Sequence, residues 1–142
     1  MKLKELILKY DYLKNKGGIN ELEQQVEELQ ESKYTIKTSS FTEQVQTTRR
    51  TNNNRIENIN IKIDKLQKRI NDCKEYISEV DYFFNLVLKD EFKVIFDLYI
   101  KFKNERKLKD SLNIDGSTLN HYKRKVGEDM QMIASYHQNI FI

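Results

Sequence analysis

The chain has 142 residues, of which 38% are hydrophobic and 33% are charged, and it carries a net charge of +3. A mean hydropathy of −0.77 leaves little apolar surface to bury for this length, which favours an extended, mostly helical shape over a compact globule. Proline is absent and only four glycines are present. Since these two residues are the main helix breakers, long uninterrupted helices are expected.

The composition also argues against several kinds of site. Cys73 is the single cysteine, so neither an intrachain disulfide nor a cysteine-based zinc cluster is expected. The two histidines, His121 and His137, lie too far apart to indicate a metal site without help from carboxylates. No apolar run approaches the roughly 20 residues of a membrane span, and lysines interrupt the N-terminal segment where a signal peptide would be apolar. We therefore expect a cytoplasmic protein with no membrane partner, and we predict no metal or cofactor.

Two helices are predicted in the first 37 residues. The first, over residues 1–16, has a 3-4-3 apolar spacing. We expect it to pack on a neighbouring helix rather than on a membrane surface, because its apolar face is narrow and lacks Trp and Phe. Its apolar positions are Leu3, Leu6, Ile7, Tyr10 and Leu13. Gly17 and Gly18 end this helix, and a second helix over residues 19–37 follows with an acidic outer face.

Residues 38–54, TSSFTEQVQTTRRTNNN, form a polar segment with two interpretations. The composition is typical of a loop or a disordered linker. Ser40 and Glu43, however, form an S-x-x-E capping signal, which favours a helix that already begins at Phe41. The sequence gives the two alternatives equal weight.

Residues 55–88 carry the clearest periodicity in the chain, which we call the seam. Its residues step by three and four positions without interruption: Ile56, Ile59, Ile63, Leu66, Ile70, Cys73, Ile77, Val80, Phe84 and Val87. This pattern is typical of a coiled coil and needs a partner helix. Residues 19–37 supply one if they fold back as a hairpin, and a second copy of the chain supplies another, so a homo-oligomer through residues 56–88 is expected. Cys73 is interpreted as a small buried hydrophobic residue on this seam.

A small aromatic core and a final helix are predicted after residue 89. One face of a helix of about three turns carries Phe92, Ile95, Phe96 and Tyr99. The last helix is expected to continue past residue 126, and its tail packs either on the coiled coil or in a dimer contact. The apolar side of that tail comprises Met130, Ile133, Tyr136 and Ile140.

Residues 104–125 have the layout of two short helices joined by a tight turn. Leu108 and Leu112 are four residues apart and share one face of the first helix. Asn113 tolerates the left-handed backbone that a sharply ending helix needs, and the carboxylate of Asp115 suits the N-cap of the next helix. The apolar face of that helix is formed by Leu119 and Tyr122. This is the layout of a helix-turn-helix, whose second helix enters the DNA major groove.

Charge placement supports a nucleic-acid partner for this stretch. Residues 101–125 include eight basic and three acidic residues, a surplus of five positive charges that exceeds the net charge of the whole chain. The predicted phosphate contacts are Lys101, Lys103, Lys107, Lys123 and Lys125. The predicted base contacts, on the outward face of the second helix, are Ser117, Thr118, Asn120, His121 and Arg124.

An enzymatic function is not predicted. The glycines do not form a phosphate-binding loop, since Gly17 and Gly18 have neither the spacing nor the following Lys and Ser or Thr. The carboxylates alternate with lysines on predicted helix surfaces. No serine or cysteine pairs with a histidine at a spacing that suggests nucleophilic catalysis.

Three stretches carry a resemblance to a known family. Residues 41–47, FTEQVQT, are similar to a polar segment before the family's long helix, and residues 73–77, CKEYI, resemble part of its coiled coil. Residues 91–119 resemble a sigma-factor region-4-type helix-turn-helix, although Asn113 replaces the usual Gly and Lys109 the usual small residue. The family comprises small phage- and prophage-encoded proteins of Gram-positive bacteria, similar to the ArpU/RinA-type late transcription regulators. The resemblance implies a phage transcription regulator in the cytoplasm of a bacterial host.

We therefore predict an all-α protein with an N-terminal helical, coiled-coil arm over residues 1–88, including a polar loop near residues 38–54. A helix-turn-helix head follows over residues 89–142. The predicted function is sequence-specific binding of double-stranded DNA to regulate phage or prophage transcription, and the coiled coil would dimerise the protein or dock it on RNA polymerase or another host protein. The alternative, motivated by the acidic residues in 21–31, is a coiled-coil interaction protein such as a phage-encoded inhibitor of a host protein.

Overall fold

The computed structural model describes residues 2–39 and 46–141, with side chains described for residues 2–34 and 54–141. Helices make up nearly all of these ranges, and no strand occurs in them, which confirms the all-α class. The elements are α1 Leu3–Asn15, α2 Gly18–Ser39, α3 Gln46–Leu86, α4 Lys89–Asp97, a π-helical segment Leu98–Phe102, α5 Glu105–Leu112, α6 Gly116–Ser135 and a 3₁₀ segment Gln138–Phe141. None of the described helices has both the length and the apolar content that crossing a membrane requires.

Helix α1 packs on other helices, as its apolar spacing predicted. Leu6 and Ile7 are completely buried, and Tyr10 is 4% exposed. The Tyr10 hydroxyl donates a hydrogen bond to the carboxylate of Asp81 on α3. Burial, followed by this hydrogen bond, raises the pKa of Tyr10 to about 12, so the phenol stays protonated and remains a donor.

The glycine pair between α1 and α2 has two separate structural roles. Gly17 has φ +79°, a left-handed conformation that side chains rarely adopt. Gly18 is the first residue of α2 and lies against α1, where an added Cβ would be 2.7 Å from the Tyr12 ring. The pair therefore ends α1 as predicted, and it also permits a close approach of the two helices.

Helices α2 and α3 form an antiparallel hairpin, which confirms one of the two predicted partners of the seam. The Glu23 carboxylate lies 3.5 Å from the Lys74 ammonium group, whereas residues 28–32 lie beside residues 55–62. α3 is 41 residues long and is already helical at Gln46. Of the two interpretations of the polar segment, the loop is therefore wrong for residues 46–54, whose backbone is helical. Residues 40–45, including the predicted capping signal and Phe41, lie outside the described residues.

Burial along the seam is uneven. The residues from Ile70 to Phe84 include the buried side chains Ile70, Cys73, Val80 and Phe84, whereas the earlier ones, Ile56, Ile59, Ile63 and Leu66, are only half-buried. Burial raises the pKa of the Cys73 thiol, in agreement with its predicted role as a buried hydrophobic residue. Val87 is 61% exposed and does not belong to the seam, because α3 ends at Leu86. Tyr76, which the 3-4 spacing omits, is completely buried.

One cluster of buried side chains joins α1, α3, α4 and α6. Phe84 of α3 stacks on Phe92 of α4 with ring centroids 4.0 Å apart, and Tyr10 of α1 meets Phe92 and Phe96 edge-on. The predicted aromatic core therefore forms, and α1 contributes to it. Its residues come from both sides of the predicted boundary at residue 88, and the division into two units stays a prediction.

The C-terminal tail packs on α3, one of the two predicted alternatives. Met130 and Ile140 are completely buried, and the Phe141 ring meets the Tyr76 ring at a centroid distance of 5.4 Å. Tyr136 is 76% exposed, so its predicted place on the apolar side is wrong. The reason is that α6 ends at Ser135, after which the chain no longer follows the helical period.

Candidate nucleic-acid interface

The start of α5 is fixed by a side-chain cap. The Asn104 side-chain oxygen accepts hydrogen bonds from the backbone N–H groups of Arg106 and Lys107 at 2.9 and 3.2 Å. Lys103, just before it, has φ +57° and closes the π-helical segment Leu98–Phe102. This left-handed residue turns the chain out of the π-helical segment, so that α5 leaves in a new direction.

The turn between α5 and α6 has the predicted backbone. Asn113 adopts the left-handed conformation, with φ 55° and ψ 45°. Its N–H and that of Ile114 both donate to the carbonyl oxygen of Lys109, which satisfies an acceptor at the end of α5. The Lys109 ammonium group lies 3.9 Å from the position that a Cβ on Gly116 would occupy. The lysine side chain thus extends over the turn instead of entering the space between the helices.

Asp115 caps α6 as predicted. Its carboxylate accepts a hydrogen bond from the Thr118 backbone N–H at 2.7 Å. Hydrogen bonds from the side chain and backbone of Thr118 hold the pKa of Asp115 below its ordinary value, so the cap is ionised at neutral pH. The negative charge also lies favourably at the positive end of the helix dipole.

Apolar contacts between α5 and α6 follow the prediction except at one residue. Leu108 and Leu119 are buried, and Ile114 and Tyr122 are half-buried. Leu112 is 41% exposed, which contradicts its predicted place on the buried face with Leu108. Leu112 is the last residue of α5, and the chain turns directly after it, so its side chain lies outside the core.

The side chains predicted to contact bases occupy the first turns of α6. Ser117, Asn120, His121 and Arg124 are exposed, and Thr118 is half-buried. One guanidinium nitrogen of Arg124 lies 3.3 Å from Nδ1 of His121. The structure therefore brings four of the five predicted residues to an open helix surface, and a short contact orients the arginine.

The side chains predicted to contact phosphates differ in availability. Lys101, Lys103, Lys107 and Lys125 are exposed. Lys123 instead pairs with the carboxylate of Glu105 at the start of α5, and partial burial lowers the pKa of Lys123. This ion pair links α5 to α6 across the turn, a role that the sequence analysis missed. The positions are 18 residues apart and have no periodic relation that would have revealed it.

No protein-family model matches the chain, and comparisons with curated proteins and with solved structures also found no match. The resemblance to phage transcription regulators therefore stays a prediction. Within residues 104–125, two capped helices are joined by a three-residue turn.

Proposed function

We propose that the chain binds double-stranded DNA through the first turns of α6 and regulates transcription in a phage or prophage. One observation carries the proposal. Behind a left-handed turn and an ionised N-cap, exposed side chains of Ser117, Asn120, His121 and Arg124 share the start of one helix. In helix-turn-helix proteins this end of the second helix contacts base edges. Asn120 suits bidentate hydrogen bonding to adenine, and Arg124 suits guanine.

The exposed lysines around α6 would hold the protein on the phosphate backbone. Lys101 and Lys103 precede α5, Lys107 lies on α5, and Lys125 lies on α6. In each head these four ammonium groups would displace the counterions of about four phosphates, so log K should fall with log salt concentration with a slope of about −3.6. The affinity of one head should then drop about 150-fold between 50 and 200 mM salt.

Half-burial of the first seam residues on α3 supports a role for the hairpin in assembly. A single partner helix, α2, leaves Ile56, Ile59, Ile63 and Leu66 partly accessible. A second copy of the chain covering them would place two DNA-binding heads on one particle. The same surface would also serve the alternative function, in which the hairpin binds a host protein.

The test selects a preferred duplex from a random pool and measures affinity by fluorescence anisotropy at both salt concentrations. Asn120→Ala with Arg124→Ala should reduce the preference for the selected duplex over a scrambled one by about tenfold or more. Lys101→Ala with Lys103→Ala should weaken binding to both duplexes equally. The control is Lys62→Ala, which removes an exposed lysine on α3 and should change neither.

Absent or salt-insensitive DNA binding would overturn the proposal. A pull-down from host lysate treated with nuclease distinguishes the alternative. Recovery of one stoichiometric protein partner, together with no DNA binding in the anisotropy assay, would support a coiled-coil interaction protein.

A further inference from the structure

The fold brings His137 next to carboxylates that are distant in the sequence. One ligand atom each from Asp72, Glu75 and His137 lie within 4.8 Å of one another. Asp72 and Glu75 are three residues apart on α3 and share a helix face, and His137 follows the end of α6. No metal site was predicted from the sequence because the two histidines are far apart and no carboxylate ligands could be assigned to either. The tertiary structure places two carboxylates, Asp72 and Glu75, beside His137.

The imidazole of His137 is held in place from several sides. It is 5% exposed, and its ring lies edge-on to Tyr76 with centroids 6.0 Å apart. The buried side chain of Ile140 anchors the 3₁₀ segment that follows it. A ligand that is fixed before the ion arrives loses little conformational freedom on binding.

A third carboxylate orients the ring. Nε2 of His137 lies 2.9 Å from a carboxylate oxygen of Glu79, one turn further along α3 than Glu75. Histidines that bind metals usually donate their other ring N–H to a carboxylate, which fixes the tautomer and increases the basicity of the metal-bound nitrogen. With Nε2–H donating to Glu79, the free lone pair of the neutral ring is on Nδ1.

We propose that Asp72, Glu75 and Nδ1 of His137 bind one divalent transition-metal ion, with Zn²⁺ as the best-suited probe, and that Glu79 positions the histidine. One nitrogen and two carboxylate oxygens suit Zn²⁺, whereas Mg²⁺ and Ca²⁺ prefer sets made only of oxygen. Glu75 is exposed and Asp72 is half-buried, so an ion bound between them would be accessible from the solvent.

Metal binding at this position would fasten the C-terminal tail to α3. The three carboxylates Asp72, Glu75 and Glu79 lie at positions i, i+3 and i+7 of one helix face, where like charges repel. A divalent ion bound by two of them and by the tail histidine would offset this repulsion. It would stabilise only the folded state, because the unfolded chain does not bring the tail to α3.

The experiment titrates the full chain with Zn²⁺ by isothermal calorimetry and measures the thermal midpoint with and without the ion. The wild type should bind one ion per chain, and its midpoint should rise. Glu79→Gln should weaken affinity by about 10- to 100-fold while leaving the stoichiometry unchanged. The double variant Asp72→Asn, Glu75→Gln should abolish Zn²⁺ binding. The single variant His137→Gln should also abolish it. Co²⁺ should give a visible absorption band in the wild type that is lost in the double variant.

The controls separate this site from ordinary surface binding. Glu57→Gln with Asp64→Asn removes two exposed carboxylates elsewhere on α3, and His121→Gln removes the other histidine. Both should leave Zn²⁺ affinity unchanged. The double carboxylate variant alters only side chains at the protein surface or half-buried ones, and circular dichroism verifies its fold. Unchanged Zn²⁺ affinity in a folded Asp72→Asn, Glu75→Gln variant, or Mg²⁺ binding as tight as Zn²⁺ binding, would overturn the proposal.

Discussion

At the scale of single residues, the ion pair between Glu105 and Lys123 controls how much positive charge the proposed DNA surface presents. Glu105→Gln should free the Lys123 ammonium group for a phosphate. We expect affinity to rise for selected and scrambled duplexes alike, and the slope of log K against log salt concentration to become steeper by about one. Fluorescence anisotropy over a salt series measures both quantities.

The matched control for this change is Glu128→Gln. Glu128 is an exposed carboxylate further along α6, so its replacement alters the net charge equally without releasing Lys123. A salt slope that changes by the same amount in both variants would show that general charge, and not the ion pair, determines the effect.

Several single residues were predicted correctly because their role depends only on nearby backbone. Asn113 in the left-handed conformation and Asp115 at the N-cap both act within four residues of their own position. Lys123 was predicted to contact phosphate because of its charge, and its ion pair with Glu105 was missed because Glu105 lies on another helix. Local chemistry could be predicted from the sequence, whereas a pairing across a turn could not.

At the scale of elements, two glycines should respond in opposite ways to replacement by alanine. In α6, a Cβ on Gly127 would meet its nearest atom, in Leu3, at 3.8 Å, an ordinary contact. Gly127→Ala should therefore stabilise the protein by about 0.5–1 kcal/mol, because alanine loses less backbone entropy in a helix. Gly18→Ala should destabilise it by about 1 kcal/mol, since the added Cβ would overlap the Tyr12 ring.

Urea unfolding of both variants checks this pair. Each measurement is the other's control, because the chemical change is identical and only the packing differs. Destabilisation by Gly127→Ala would show that α1 lies closer to α6 than the Leu3 distance indicates. An unchanged midpoint in Gly18→Ala would show that the Tyr12 ring moves aside freely.

Helix periodicity predicted the buried faces but not where they stop. Leu112, Val87 and Tyr136 each continue an apolar spacing, and each is exposed. All three lie at or just beyond the last residue of a helix, where the chain leaves the 3.6-residue period. The 3-4 spacing also missed Tyr76, which lies outside the seam. Tyr76 is buried because the C-terminal tail and α1 cover a second face of α3.

At the scale of the whole molecule, the half-buried seam residues Ile56, Ile59, Ile63 and Leu66 are the predicted contact between two copies of the chain. We predict a dimer through the hairpin, and Ile59→Glu with Ile63→Glu should shift it to monomer by placing charges in the interface. Analytical ultracentrifugation measures the mass. Salt dependence of DNA binding should weaken in the monomer, since one particle then contacts fewer phosphates.

The control for the dimer is Asn54→Glu with Asn58→Glu, which adds the same charge at exposed positions of α3. Circular dichroism verifies that both variants keep their helices, because Ile59 also lies beside residues of α2. A wild-type chain that sediments as a monomer at all concentrations would contradict the prediction.

The sequence by itself determined the helical class, the long seam of α3 and the capped turn between α5 and α6. Each of these follows from spacing or capping chemistry within a few residues. Only the tertiary structure decided that α1 joins the C-terminal helices in one core, that Glu105 pairs with Lys123, and that His137 meets Asp72 and Glu75. The physical reason is that these contacts depend on how the helices pack. Helix packing depends on how the side chains of two complete helix surfaces fit together, which cannot be predicted from the spacing of residues within one helix.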